Sequence, residues 1–315
     1  MTNRRDCLKF AAFAGIAGLL PERLLQAMER GDLITRTVPG TDEKLPIVGL
    51  GSSATFRQDA EAEEIDNLTK VLKAMFEHGG TVFDTAPGYG ASEQVAGRIV
   101  QELEAADKIF WATKLNVAGG GGSADPAAAR QQVEQSFDYI GKDPIDLIQV
   151  HNLADIPTQL RLLKEYKAEG RVRYIGTTST NPDAYPRLME VMRSEPLDFI
   201  GVDYAVDNRT AAEKILPLAQ EQGIGVLVYV PFGRTRLFRR VGDRPVPDWA
   251  QEMGIESWAQ FFIKFAAAHP AVTVVTPATS DAEHMIDNMG AAYGELPDTA
   301  MQKRMAEFVD ALPAA

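Results

Sequence analysis

From Leu33 onward, short apolar and β-branched runs alternate with longer stretches whose apolar positions recur every three or four residues. The runs are IVGLG from Ile47, TVFDT from Thr81, KIFWATK from Lys108, DLIQVH from Asp146, VRYIGTT from Val172, LDFIGVDY from Leu197, GVLVYV from Gly225 and VTVVTP from Val272. Between them lie helix-period stretches such as EEIDNLTKVLKAMFEHG, PAAARQQVEQSFDYIG and TAAEKILPLAQEQG, each closing on a glycine suited to a left-handed cap. A strand that reads as continuously apolar needs cover on both faces, as parallel strands flanked by helices have. Eight such units in roughly 270 residues predict an α/β fold, a (β/α)8 TIM barrel rather than an open doubly wound sheet, which normally has fewer strands. Ahead of the first strand, ITRTVPGTDEKLPIVGL reads as a hairpin turned at Gly40 that closes the barrel floor. GGGGS at 119–123 reads as a flexible loop tip. The stretch from Gly233, GRTRLFRRVGDRPVPDWA, follows the seventh strand and is expected to fold over the mouth, while Trp258 is expected in the core on the helix SWAQFFIKFAAAH. Residues 33–315 show no internal boundary and are expected to form one domain.

Residues 1–27 stand apart from that rhythm. Arg4 and Arg5 precede the small-residue apolar run Phe10–Leu20, which is too short to span a bilayer stably and reads as a signal peptide of the twin-arginine type. Cys7 stands where such signals usually carry an aromatic, and Leu25 makes LLQA a poor cleavage site. The segment implies the twin-arginine export machinery as a partner and a periplasmic location; an N-terminal tail on a cytoplasmic enzyme is the alternative. The net charge of −12 repels phosphate backbones, so nucleic acid is not an expected partner, nor is stable membrane insertion. One cysteine and four scattered histidines supply no disulfide framework and no metal-ligand spacing.

In a barrel of this class, chemistry sits at the C-terminal ends of the strands. Asp84 ends the second, Tyr89 follows five residues later in TAPGYGASE, Lys114 ends the third and His151 the fourth. Each alone has a plain structural reading: a turn residue, a packing aromatic, a solvated lysine, a satisfied histidine. Together they describe a proton-transfer site. A tyrosine hydroxyl titrates near 10, an adjacent ammonium favours its phenolate, and a carboxylate keeps that ammonium charged and oriented. A histidine beside them can hydrogen-bond a carbonyl oxygen and stabilise charge developing there.

The motifs GLGSS, FDTAPGYGASEQVAG, WATKLN, DLIQVHN, VRYIGTTS and TPATSDAEHMIDNMGAA resemble, in order and spacing, those of the aldo-keto reductases over residues 33–297. The resemblance implies reduction of an aldehyde or ketone by NADPH or NADH, with Asp84, Tyr89, Lys114 and His151 as the catalytic tetrad. It assigns Gly51 and Ser52 to the nicotinamide ribose, Thr178 and Ser179 to the carboxamide, and Tyr229 to stacking beneath the ring. Pro231, Phe232 and Gly233 continue into the loop over the pyrophosphate. Thr279, His284, Asp287 and Asn288 fall at the adenosine end. Gly201 stands where a glutamine is usual, Ala278 where a lysine is frequent and His284 where an arginine is, so the choice between NADP(H) and NAD(H) stays open. Asn152 and Phe56 are expected to line the substrate pocket. Two other readings remain at this stage: a nucleotide-binding barrel that senses redox state with little turnover, and a hydrolase or aldolase in which Lys114 forms a Schiff base.

Overall fold

A computed structural model describes residues 31–53, 55–56, 62–118 and 122–313. The expected signal segment at 1–27 and the centre of the glycine run, 119–121, lie outside the described residues. Strands β1 (Thr35–Thr37) and β2 (Lys44–Pro46) pair antiparallel as a hairpin, with Gly40 in its turn at φ 74°. Eight parallel strands follow: β3 (Leu50–Gly51), β4 (Val82–Asp84), β5 (Phe110–Leu115), β6 (Ile145–Val150), β7 (Val172–Ser179), β8 (Phe199–Asp203), β9 (Gly225–Tyr229) and β10 (Val274–Val275). Each lies within or against its expected run.

The first and last of these strands meet. The Gly49 and Gly51 N–H groups donate to the Val275 and Pro277 carbonyls at 2.9 Å, the Val275 N–H donates to the Ile47 carbonyl at 2.8 Å, and the sheet closes into a barrel. Gly51 is required at this seam, because a Cβ there would stand 2.8 Å from the Thr276 carbonyl oxygen.

Around the barrel run α1 (Ala62–Glu77), α2 (Ser92–Glu102), α3 (Pro126–Ile140), α4 (Ile156–Ala168), α5 (Tyr185–Ser194) and α6 (Thr210–Gln222). Asp125 caps α3 by accepting the Ala127 N–H, Pro126 fits its first turn, and Gly141 (φ 69°) and Gly223 (φ 65°) end α3 and α6 as expected. The continuous apolar strands resolve into two cores with a period of two residues. Phe83, Trp111, Ile148 and Val228 face the helices, while Val82, Phe110, Leu147 and Leu227 fill the barrel interior. Val38 and Leu45 of the hairpin join that inner core and plug the floor, both nearly inaccessible.

Charged pairs fix the same end. Buried Asp146 accepts the Trp111 N–H of β5 at 2.9 Å while bound to Lys142 (2.7 Å) and Arg173 (2.6 Å). Asp198 repeats the device, accepting the Ile175 N–H at 2.8 Å while paired with Lys167.

The stretch after β9 forms α7 (Arg236–Val241) and α8 (Asp248–Gln251): it starts at the mouth, where Arg236 pairs with Asp207 of the loop after β8 at 2.7 Å and the Arg234 charge acts on Tyr89, and then runs along the flank. Arg240 donates to the Val309 and Leu312 carbonyls at the end of α11 (Thr299–Asp310), and Trp249 packs between Phe261 and Phe308. These aromatics pack against α9 (Trp258–Ala267). Trp258 stacks on Phe262 and donates to the Arg244 carbonyl at 2.7 Å. The last helix of the barrel ring is α10 (Ala282–Gly290). Among the described residues no helix is long and apolar enough to cross a membrane.

Candidate active site

Alternation along the strands decides which side chains reach the barrel axis. Val82 and Asp84 of β4, Ala112 and Lys114 of β5, Leu147 and Gln149 of β6, and Leu227 and Tyr229 of β9 point inward, apolar below and polar above. The Lys114 Nζ lies 2.9 Å from both Asp84 oxygens and 2.7 Å from the Thr85 carbonyl oxygen, with both side chains buried. Tyr89 comes from the turn after β4, where its N–H donates to the Ala86 carbonyl at 2.9 Å and Gly90 takes φ 64°. Its ring centroid is 5.2 Å from Lys114 Nζ and 6.0 Å from the His151 ring, which it meets edge-on. His151 opens a single 3-10 turn (His151–Leu153) directly after β6.

Burial dominates the electrostatics. It raises the Tyr89 hydroxyl above 10, against the pull of the Lys114 ammonium and with the help of the Asp84 charge. The expectation that Lys114 brings Tyr89 below its ordinary value is therefore corrected: the pull is there, but desolvation outweighs it. Burial also raises Asp84, opposed by Lys114 and by a hydrogen bond from Tyr229. His151 is pushed down to about 4, first by burial and then by Lys114, and is neutral at physiological pH. Its Nδ1 is buried without a hydrogen-bond partner among the described residues.

The sequence has a match among known protein families. A model of the aldo/keto reductase family matches residues 47–306. The chain belongs to the aldo/keto reductase family. It is accordingly an NAD(P)-dependent oxidoreductase. Among curated relatives, an NADH-specific methylglyoxal reductase of Escherichia coli is 25% identical over 321 residues, covering 86% of this chain and 97% of that protein. A probable aldo-keto reductase 1 of Glycine max is 31% identical over 182 residues, 55% of this chain and 51% of that protein. An aldo/keto reductase structure from Klebsiella pneumoniae in complex with NADP and acetate is similar in fold, with TM-score 0.73 at 22% identity over 88% of this chain and 96% of that one.

Asp84, Tyr89, Lys114 and His151 lie together at the mouth, but several other expected site residues are held otherwise. Phe56 packs edge-on against Phe83 at 5.3 Å in the layer between strands and helices, 1% exposed, rather than lining a pocket. Ser52 is buried at the end of a hydroxyl chain in which Thr85 donates to Ser92, Ser92 to Ser52 and Ser52 to the Asp84 carbonyl, at 2.8, 2.8 and 2.9 Å. Its hydroxyl ties β3 to β4 instead of facing a ribose. Gly51 serves the barrel seam. Asp287 accepts from Gln260 Nε2 at 2.8 Å and so joins α10 to α9, and buried Asn288 lies beside it.

Thr178 is buried, and its hydroxyl accepts the N–H of exposed Asn152 at 2.9 Å. Ser179 folds back on Asn181. Pro231 is buried, Phe232 packs on Phe238 and Phe262, and Gly233 (φ 55°) closes a turn onto the Val230 carbonyl. Thr279 is bound to the backbone of Asp281, and His284 is exposed with its N–H on the Asp281 carboxylate.

Sequence reasoning passed over Gln149 and Glu93. Gln149 is fully buried inside the barrel, and its position two residues before His151, on the same face of the strand, was the available signal. Glu93 is buried behind β5, accepts from the Thr113 hydroxyl at 2.6 Å, and is raised by burial. No signal in the sequence separates it from a first-turn helix acid.

Proposed function

We propose that the protein reduces a small aldehyde or ketone to an alcohol, with Tyr89 as the proton donor. The observation that carries this reading is the convergence of Tyr89, Lys114 and His151 above the buried Asp84–Lys114 pair. A reduced nicotinamide dinucleotide, when bound, supplies the hydride. The chain's own residues fit such a group: His151 Nδ1 and Thr55 Oγ1 are buried polar atoms without partners among the described residues. Thr178, Ser179 and Tyr229 would hold its nicotinamide end, the turn at Val230–Gly233 its phosphates, and Thr279 and His284 its adenosine.

Tyr89 keeps its proton at neutral pH because burial raises its hydroxyl. The Lys114 ammonium then stabilises the phenolate left after transfer. His151, neutral and oriented edge-on to Tyr89, donates a hydrogen bond to the carbonyl oxygen as negative charge builds there. Lys114 is unsuited to Schiff-base chemistry, since it is a buried ammonium with three acceptors and no lone pair to offer. The redox-sensor alternative would leave this proton-transfer geometry without a use.

Replacing Tyr89 with Phe should lower carbonyl-dependent NAD(P)H oxidation by about 10²–10⁴-fold while nucleotide affinity stays within about threefold. Undiminished turnover would remove Tyr89 from this role. The methylglyoxal reductase among the relatives supports a small carbonyl, and methylglyoxal belongs first in the substrate panel. The segment Ala278–Asn288 carries Asp281, Glu283 and Asp287 but no lysine or arginine, and the Asp281 carboxylate already occupies the first N–H groups of α10. That favours NADH over NADPH, since a 2'-phosphate meets negative charge there; tighter binding of NADPH in a fluorescence titration would reverse it.

Residues 1–27 support a further proposal, export by the twin-arginine machinery to the periplasm, on the strength of Arg4–Arg5 and the run Phe10–Leu20. Fused to a reporter active only after folded export, residues 1–32 should give signal that is lost when Arg4 and Arg5 become lysines; a reporter confined to the cytoplasm refutes the location.

A further inference from the structure

Besides the ring face expected to lie beneath a nicotinamide, Tyr229 has a hydroxyl that is itself engaged. It lies 3.1 Å from Asp84 Oδ1 and 2.9 Å from Gln149 Oε1, inside the barrel and below the proton donor. Lys114 Nζ is equally far from the two tyrosine rings, 5.2 Å to the Tyr89 centroid and 5.2 Å to that of Tyr229. The ring reaches this position across Gly201. A Cβ at 201 would stand 2.3 Å from Tyr229 Cε2 and 2.6 Å from its Cζ and hydroxyl, so any side chain there would displace it. The chain turns sharply just beyond, with the β-branched Val230 at φ 55°, a left-handed backbone that such residues seldom adopt.

We propose that Tyr229 is a positioning residue of the catalytic site: its hydroxyl holds the Asp84 carboxylate against Lys114, and Gly201 is present to admit it. The proposal rests on the reductase reading of the Asp84–Lys114 pair. A buried ion pair is stable only when the remaining lone pairs are met. Lys114 divides its donors between both Asp84 oxygens and the Thr85 carbonyl, leaving one cation to serve a carboxylate that burial disfavours. The single phenolic proton of Tyr229 is shared between Asp84 Oδ1 and Gln149 Oε1, so the hydroxyl is a second, partial donor to that carboxylate, charge-assisted and pre-placed. Gln149, buried and with its Nε2 3.4 Å from the Thr177 carbonyl oxygen, fixes how far the phenol reaches. Asp84 then stays ionised, Lys114 stays charged and aimed, and Tyr89 has a fixed ammonium beside it when it gives up its proton.

The test is Tyr229→Phe in the full chain, which keeps the ring and removes only the hydroxyl. Asp84 then binds a proton more readily. The midpoint of its carboxyl titration, followed by carbon-13 NMR and assigned with Asp84→Asn, should rise by roughly one pH unit. This measurement needs no substrate. With substrate, kcat should fall about tenfold and the acid limb of its pH profile should move up by a similar interval, while nucleotide affinity changes by less than about twofold. Gly201→Ala, which drives the ring away, should reproduce the shift. An Asp84 titration identical in wild type and variant, or one that falls, overturns the proposal even if turnover falls, because a packing defect that admits water would lower the midpoint rather than raise it. A wild-type protein inactive on every carbonyl defeats the reductase reading instead, and leaves the NMR result to decide the role of Tyr229.

Discussion

With its proton affinity pushed down to about 4, His151 is an imidazole that folding keeps neutral. In the unfolded chain the same ring titrates near 6.5 and holds a proton that the folded ring refuses. Between these values the unfolded state binds more protons, so stability rises with pH; it is intact above about 6.5 and is lost as pH falls toward 4. Urea unfolding near pH 7 and near pH 5 should show a loss on acidification on the order of 1–2 kcal/mol larger in wild type than in His151→Gln, discounted for the partial exposure of the ring. Equal losses in both proteins would mean that other groups carry the acid response. At this scale the tetrad was legible, because polar residues at the ends of apolar strands are conspicuous against their runs. The partners of those residues were not. The acceptors of the Tyr229 and Ser52 hydroxyls were hidden, because a sequence shows which groups are polar but not which acceptor lies within reach.

The strands were legible as elements because each apolar run is bounded by polar and glycine-containing segments. Their ends were not: the runs from Ile47 and Val272 give paired strands of only two residues at the barrel seam. Hydrogen bonding there is set by where the barrel closes, which is a property of all eight strands together. The turn after β6 was equally hidden. Asn152, Leu153 and Asp155 all take positive φ, a conformation that asparagine and aspartate adopt more readily than other side chains but that leucine seldom does. The acids near the strand starts also escaped notice, although they hold the floor. Truncating Asp146 to Ala removes an acceptor from the Trp111 N–H and from two cations, so stability should drop by about 3–5 kcal/mol in denaturant titrations. A loss under about 1 kcal/mol would show that water takes its place.

At the scale of the whole molecule, the open end of the barrel is the part left for a ligand, since the hairpin residues Val38 and Leu45 fill the other. Binding there by mass action should raise the melting temperature by a few degrees with NADH at about 100 times its Kd; an unchanged melt would mean that the mouth does not take the dinucleotide. The sequence by itself determined the fold class, the order of strands and the gathering of Asp84, Tyr89, Lys114 and His151 at one rim. Those depend on local periodicity and on the rule that strand ends gather at one rim. Only the tertiary structure decided that burial outweighs Lys114 in setting Tyr89, that Phe56 faces the helices, and that Tyr229 lies over Gly201 against Asp84. Each of these depends on distances between residues far apart in the chain and on how much water their packing removes, and neither quantity is written in the local pattern.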